Sequence, residues 1–329
     1  MTVRVERHEF TSTVLQDNPW GDPARRPVFV LSPADVPAAE PLPAVWVLAG
    51  FFATGASFLA FEPFGETLAE RLERLWSHGM KPVRVVLPDT FAALGGSQYV
   101  DSPAIGRYAT YLWDELLPEV ERVWATPRRA VAGRSSGGFG ALTAAMDRPG
   151  LFAAVASHAG DMGFEWCYLP DMPELMARIR EAGGVGAFWQ RFCAAQPKPP
   201  AWFGAISLLA MAAAYSPNPE RKDFPADLPV DEETLEIVEP VWARWLKHDP
   251  VRRVQREEAA RRALAGLALL YLDAGADDEY RLQYGARRLG RLLTRYEIPH
   301  VLEIFPGGHR RTAHRWDRSL PLLAEALWA

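Results

Sequence analysis

The stretch Gly133-Arg134-Ser135-Ser136-Gly137-Gly138 constrains this chain more than any other. Arg129-Ala130-Val131-Ala132 before it reads as a short strand, and Phe139-Gly140-Ala141-Leu142-Thr143-Ala144-Ala145-Met146 after it reads as a helix rich in small residues. A serine on so sharp a strand-to-helix turn needs glycine two positions before and two after, because larger side chains collide there. Ser135 has that register; Ser136 would have Arg134 two residues before it. The turn lifts the hydroxyl to the top of a sheet and aims the N-terminus of the next helix at it. Ser135 is therefore the candidate nucleophile.

Around this turn strands and helices alternate, which predicts an α/β fold with a mostly parallel sheet and helices on both faces. Val3–Phe10 and Pro27–Leu31 read as opening strands that form an antiparallel edge. Ala44–Ala49, Val83–Leu87, Phe152–Ser157, Leu267–Asp273 and Val301–Phe305 read as further strands. Helices are expected over Phe64–His78, Gly106–Trp124, Glu279–Tyr296 and Asp317–Leu327. The exception is the stretch from Asp161 to Arg262, with helical patterning, many prolines, no convincing strand and the tryptophans Trp166, Trp189, Trp202, Trp242 and Trp245. An insertion there lies on the same rim as Ser135. The expected organisation is a core of residues 1–160 and 263–329 with a helical cap insertion over 161–262. Most of those tryptophans are expected to hold the cap together; Trp166 and Trp189 are the ones considered for substrate contact.

Composition narrows the function. A chain of 329 residues with 49% hydrophobic residues can bury a large core. A net charge of −5 gives no basic patch for nucleic acid. The N-terminal residues alternate in charge without an apolar h-region, so no secretory signal is expected. The longest apolar run, near Ala205 to Ala214, is too short to span a bilayer. Cys167 and Cys193 have no metal spacing and read as small buried thiols of a cytoplasmic protein. No cofactor and no metal are expected; the expected partner is a small-molecule ester, and a homo-oligomer is left open.

A serine hydroxyl needs a base to take its proton as it attacks, and a histidine base needs a carboxylate to fix its tautomer. For a serine on this kind of turn the chain order is serine, acid, histidine, the last two on loops after late strands. Gly275-Ala276-Asp277-Asp278 follows the strand ending at Asp273. The tight Gly275 turn selects Asp278, three residues on, with Asp277 as runner-up and Asp273 as a strand-end hydrogen-bonding group. His309, in Phe305-Pro306-Gly307-Gly308-His309, stands directly after the last strand, 31 residues beyond Asp278, and is the expected base; His314 is second. His158 ends a strand on the correct rim, before the expected loop. The oxyanion needs two backbone donors. Ser136 N–H at the start of the helix is one. The other comes from Gly50-Phe51-Phe52 after the strand at Ala44, with Phe51 preferred over Phe52 because Gly50 permits the turn.

Three segments together carry a resemblance: Ala132–Leu142, Asp273-Ala274-Gly275-Ala276-Asp277-Asp278-Glu279-Tyr280 and Phe305–His309. The chain resembles the putative-esterase family of α/β-hydrolases, which includes enterochelin esterases, S-formylglutathione hydrolases, feruloyl esterases and mycolyltransferases. Gly95-Gly96-Ser97-Gln98-Tyr99 with Asp101-Ser102-Pro103, and Leu15-Gln16-Asp17-Asn18-Pro19, look like segments of bacterial members. The resemblance covers residues 1–160 and 263–329, and implies the α/β-hydrolase fold and triad chemistry on acyl esters. Two positions depart from it. Ala49 stands where many members carry histidine, and Arg310-Arg311-Thr312-Ala313 follows His309 where many have an aromatic-rich segment. The expected function is a serine carboxylic-ester hydrolase acting through an acyl-enzyme. The alternatives are an acyltransferase using the same residues and a non-catalytic binding protein on the same fold.

Overall fold

A computed structural model describes residues 1–329. Its strands in chain order are β1 (Val3–Thr11), β2 (Arg25–Pro33), β3 (Ala44–Leu48), β4 (Arg84–Pro88), β5 (Asp101–Ser102), β6 (Gly106–Arg107), β7 (Arg129–Arg134), β8 (Ala154–His158), β9 (Leu269–Gly275) and β10 (Val301–Phe305). Eight of them form one sheet in the order β1-β2-β4-β3-β7-β8-β9-β10, and β5 and β6 make a short separate hairpin. β3, β4 and β8 are buried at every position, as strands covered on both faces must be. β1 carries only exposed and half-covered residues and pairs antiparallel with β2, which pairs antiparallel with β4; the other pairings of this sheet are parallel. The expected antiparallel opening is therefore present on a mostly parallel sheet.

Period-2 alternation along β3 divides the core. Val45 and Val47 face Leu72, Trp76, Leu320 and Leu323 from the helices Leu68–Ser77 and Trp316–Trp328. Trp46 and Leu48 face the other layer, which holds Leu112, Leu142 and Leu289. The register aligns the carboxyl ends that matter: Arg134 lies opposite His158, His158 opposite Asp273, and Phe305 opposite Gly275. The loops after β7, β8, β9 and β10 therefore leave from one rim.

Several boundaries differ from the expected ones for local reasons. The helix expected from Phe64 begins at Leu68, because Thr67 accepts from the Glu70 N–H (3.2 Å) while the Glu70 carboxylate accepts from the Thr67 N–H (2.8 Å). The helix expected over Gly106–Trp124 contains a π-type stretch, Tyr111–Leu116, just before Pro118, which has no N–H to give to the preceding turn. The helix expected from Glu279 begins at Leu282, so Asp278 sits in a loop.

Residues 161–262 are mainly helical: Phe164–Cys167, Met172–Ala182, Val185–Ala194, Phe203–Tyr215, Glu239–Leu246, Pro250–Arg256 and Glu258–Ala265, with two isolated bridges. The last two pack on the Ser136–Asp147 and Leu282–Arg295 helices beside the sheet. Trp242 and Trp245 are buried, and Trp189 packs against Trp20, Phe192 and Phe224. Cys167 is buried, which pushes its thiol up; Cys193, expected buried, is exposed. No helix is long and apolar enough to cross a membrane.

Asp249 ties the two ends of this stretch together. Fully buried, it caps the Pro250–Arg256 helix: Oδ1 accepts from the Val251 and Gly163 N–H groups (3.0 and 2.8 Å), and Oδ2 from Phe164 N–H (3.3 Å). Burial pushes its carboxyl up to about 6, against those amides, which favour the charge. A folded pKa above the unfolded one makes a stability contribution that is complete below the unfolded value and is lost as pH rises through the folded one. Asparagine keeps the Oδ1 acceptor and cannot ionise. Between pH ~4 and ~7 the wild type is expected to lose about 2–3 kcal/mol of unfolding free energy relative to Asp249→Asn. Urea unfolding across that range measures the difference, and parallel curves would reject the assignment.

Candidate active site

The turn after β7 holds Ser135 at φ 57° and ψ −126°, a conformation non-glycine residues rarely adopt. Its backbone N–H donates to the His158 carbonyl (2.8 Å), and its own carbonyl accepts from Phe139 N–H (3.0 Å). The flanking glycines are sterically required. A Cβ on Gly133 would lie 2.2 Å from the Gly137 carbonyl oxygen, and one on Gly137 would lie 2.2 Å from that of Leu48. The helix Ser136–Asp147 starts at once, so the Ser136 N–H has no intrahelical partner.

The loops after β9 and β10 are laced together. Ala276 N–H donates to the Phe305 carbonyl (2.7 Å) and Asp277 N–H to that of Gly307 (2.9 Å). Gly275 allows this approach: a Cβ there would meet the Gly307 oxygen at 2.3 Å. The lacing brings Asp278 Oδ2 within 2.8 Å of His309 Nδ1, while Oδ1 accepts from the Tyr280 N–H (2.9 Å). Both side chains are almost wholly buried. The carboxylate can only accept, so Nδ1 donates and Nε2 is left as the acceptor. The Tyr280 ring stands edge-on to the imidazole at 4.9 Å. Glu279 accepts from the His309 backbone N–H (2.6 Å), which holds its carboxyl below the usual carboxylate range.

Ser135, Ser136, Phe51 and His309 all line one cavity of about 710 Å³, and Asp278 is bonded to His309 from outside the lining. Phe203, Leu208 and Met211 from residues 161–262 supply its apolar wall; Trp166 and Trp189 do not line it. The loop after β3 lies against the Ser135 turn, a Cβ on Gly50 being 3.3 Å from the Arg134 carbonyl oxygen. There the Phe52 N–H is already committed to the Gly95 carbonyl (2.8 Å), whereas Phe51 N–H makes no backbone hydrogen bond. The Gly95-Gly96 pair underlies both rings, since a Cβ on either would come within 2.6 Å of one of them. At Ala49, the Tyr99 hydroxyl donates to the carbonyl (2.5 Å).

The other candidates fall elsewhere. Asp277 and His314 are exposed, and His314 lines a separate polar surface depression with Arg71 and Asp317. Asp273 and His158 pair with each other (2.9 Å) in a buried network in which Arg315 Nε donates to Asp273 (2.8 Å) and His158 Nε2 meets the Ser319 hydroxyl (2.8 Å). Burial raises the Asp273 carboxyl, but His158 and Arg315 outweigh it and hold the group below its ordinary value.

One group at the cavity escaped the sequence reading. Asp161, three residues beyond β8, is buried and accepts from the Tyr168 hydroxyl (3.0 Å), Gln98 Nε2 (3.1 Å) and the Ser136 hydroxyl (3.2 Å) through one oxygen. Burial raises its carboxyl despite those donors. Its only sequence signal is its place on the same rim as Ser135.

A family model described as "Putative esterase" matches residues 23–325. No curated protein matches the chain. Among solved structures it is similar to a ferulic acid esterase (19% identity, TM-score 0.62, covering 99% of this chain and 98% of that one). It is also similar to an S-formylglutathione hydrolase from Agrobacterium tumefaciens (17%, TM-score 0.59, covering 98% and 95%). A third is the enterobactin esterase from Shigella flexneri (17%, TM-score 0.53, covering 98% and 59%). At such identities the likeness is one of fold, and the fold is that of the α/β-hydrolases.

Proposed function

Because the chain belongs to the putative-esterase family of α/β-hydrolases, we propose that it is a serine carboxylic-ester hydrolase in which Ser135, His309 and Asp278 act as one unit. The observation that carries this reading is the Asp278–His309 hydrogen bond beside a cavity also lined by the strained Ser135. Ser135 Oγ attacks the ester carbonyl carbon while His309 Nε2 takes the hydroxyl proton, and Asp278 holds the Nδ1–H tautomer and the imidazolium that forms. The Phe51 and Ser136 N–H groups receive the oxyanion; the engagement of Phe52 with Gly95 favours Phe51 for this role. Collapse expels the alcohol, protonated by His309, and leaves an acyl-enzyme. Water then repeats the sequence, giving its proton to His309 and releasing the acid.

In this reading residues 161–262 form a cap whose apolar residues receive the acyl group, the substrate is a small to medium ester, and the protein works in the cytoplasm. The test is a fluorophosphonate probe, which phosphonylates only an activated serine. Stoichiometric labelling is expected at Ser135, located by peptide mass, and it should fall sharply in His309→Ala. Labelling at Ser136, or none on folded protein, would overturn the assignment.

A further inference from the structure

Arginines buried in this protein have partners. Arg26 donates to the Phe91 carbonyl and the Tyr108 hydroxyl (both 2.7 Å), Arg84 to the carbonyls of Pro37, Ala38 and Ala125, and Arg315 to Asp273. Arg134 differs from them. It immediately precedes Ser135, is half-buried, and lines the cavity. Its guanidinium makes neither a hydrogen bond nor an ion pair, and senses Asp278, Tyr280 and Glu62 only through space. Its nitrogens keep contact with solvent, so the guanidinium is free to take an acceptor that enters the cavity.

The carboxylates around the cavity do not fill that gap, because each is engaged elsewhere. Asp171 is paired with Arg281 (2.6 Å), Glu174 lies 3.8 Å from Arg178, and Glu279 accepts from the His309 N–H (2.6 Å). Asp161 is taken up by Tyr168, Gln98 and Ser136. Arg310, next to His309, also lines the cavity without an ion pair. Arg134 and Arg310 are thus the lining cations without an ion pair, beside carboxylates already engaged by other donors.

We propose that Arg134 is a specificity-determining residue that binds a carboxylate on the substrate, so that the preferred substrates are esters carrying a single negative charge. A planar guanidinium pairs with a carboxylate through two parallel hydrogen bonds. A monoanion suits the site better than a phosphate dianion, which the neighbouring Asp171, Glu174 and Glu279 would repel more strongly. The inference rests on the esterase reading above and adds its substrate class.

Two pairs of esters test it, one for each side of the scissile bond. The first sets the mono-para-nitrophenyl ester of adipic acid against para-nitrophenyl hexanoate. The second sets the butyryl ester of para-hydroxyphenylacetate against that of para-hydroxyphenylacetamide. In at least one pair the charged ester is expected to have the higher kcat/KM, by about 10- to 100-fold and mainly through KM. Arg134→Gln should bring that ratio close to one, and Arg134→Lys should keep part of it. In the wild type, rising ionic strength should lower kcat/KM for the charged ester and leave the neutral one nearly unchanged, a readout that does not depend on the variants folding. Turnover of the neutral esters with no preference for charge in either pair would overturn the proposal, as would a preference that survives in folded Arg134→Gln or is insensitive to salt. Failure to turn over any of the four, with no fluorophosphonate labelling, would instead remove the esterase reading beneath it.

Discussion

Ser135→Ala is expected to lower kcat on a short para-nitrophenyl ester by about 10³–10⁶-fold, with the thermal midpoint nearly unchanged. In the proposed mechanism the loss follows from removing the group that forms the acyl-enzyme, while the variant keeps the cavity and backbone donors, which sustain a slow direct attack by water. Alanine is nearly isosteric, and the backbone bonds of Ser135 to His158 and Phe139 do not involve the hydroxyl. Asp278→Asn should cost about 10⁴-fold, because an amide facing Nδ1 favours the tautomer with the proton on Nε2. These losses report one proton-transfer unit, so Ser135→Ala combined with His309→Ala should be little worse than either alone. Steady-state rates of the three variants and the double variant measure this. Multiplicative losses, or full activity in Ser135→Ala, would break the assignment.

Arg315→Met is expected to destabilise the protein by about 3–5 kcal/mol without entering the cavity. Arg315 donates to Asp273 (2.8 Å) and the Tyr271 hydroxyl (2.6 Å), and also pairs with Glu303. Asp273 is almost wholly buried. Methionine fills much of the volume but leaves that carboxylate with only His158 and the Tyr271 hydroxyl as partners. The depressed Asp273 pKa makes a stability contribution that is present above the unfolded carboxyl value and lost as pH falls through the folded one, so the gap between wild type and Arg315→Met should close in acid. Adding Asp273→Asn to Arg315→Met should recover part of the loss, because the stranded charge goes with it. Urea unfolding of the three proteins reads both effects. A loss under about 1 kcal/mol would mean that the network is effectively solvated.

What the sequence by itself determined is what short-range sterics and periodicity dictate. The register of Gly133, Ser135 and Gly137 is a collision rule: a methyl on Gly133 would strike the Gly137 carbonyl oxygen within the turn itself, and one on Gly137 would strike that of Leu48 on the neighbouring strand, so the sequence could single out Ser135 while only the fold supplied the second collision. The buried strands at Ala44 and Arg84, the antiparallel opening and the late loops carrying Asp278 and His309 follow from apolar runs and glycine turns in the same way. Asp278 and not Asp277 meets His309 across 31 residues, and His314 stays exposed elsewhere, because the two loops are laced together by contacts far apart in the chain. Phe51 and Phe52 look alike in sequence; they differ because Gly95, far along the chain, takes one amide. Asp161 and Arg134 are ordinary charged residues until packing places one among Tyr168, Gln98 and Ser136 and leaves the other facing a cavity with nothing to bind. Whether a charge is satisfied is a property of its neighbours in space, and those neighbours come from segments that periodicity does not connect.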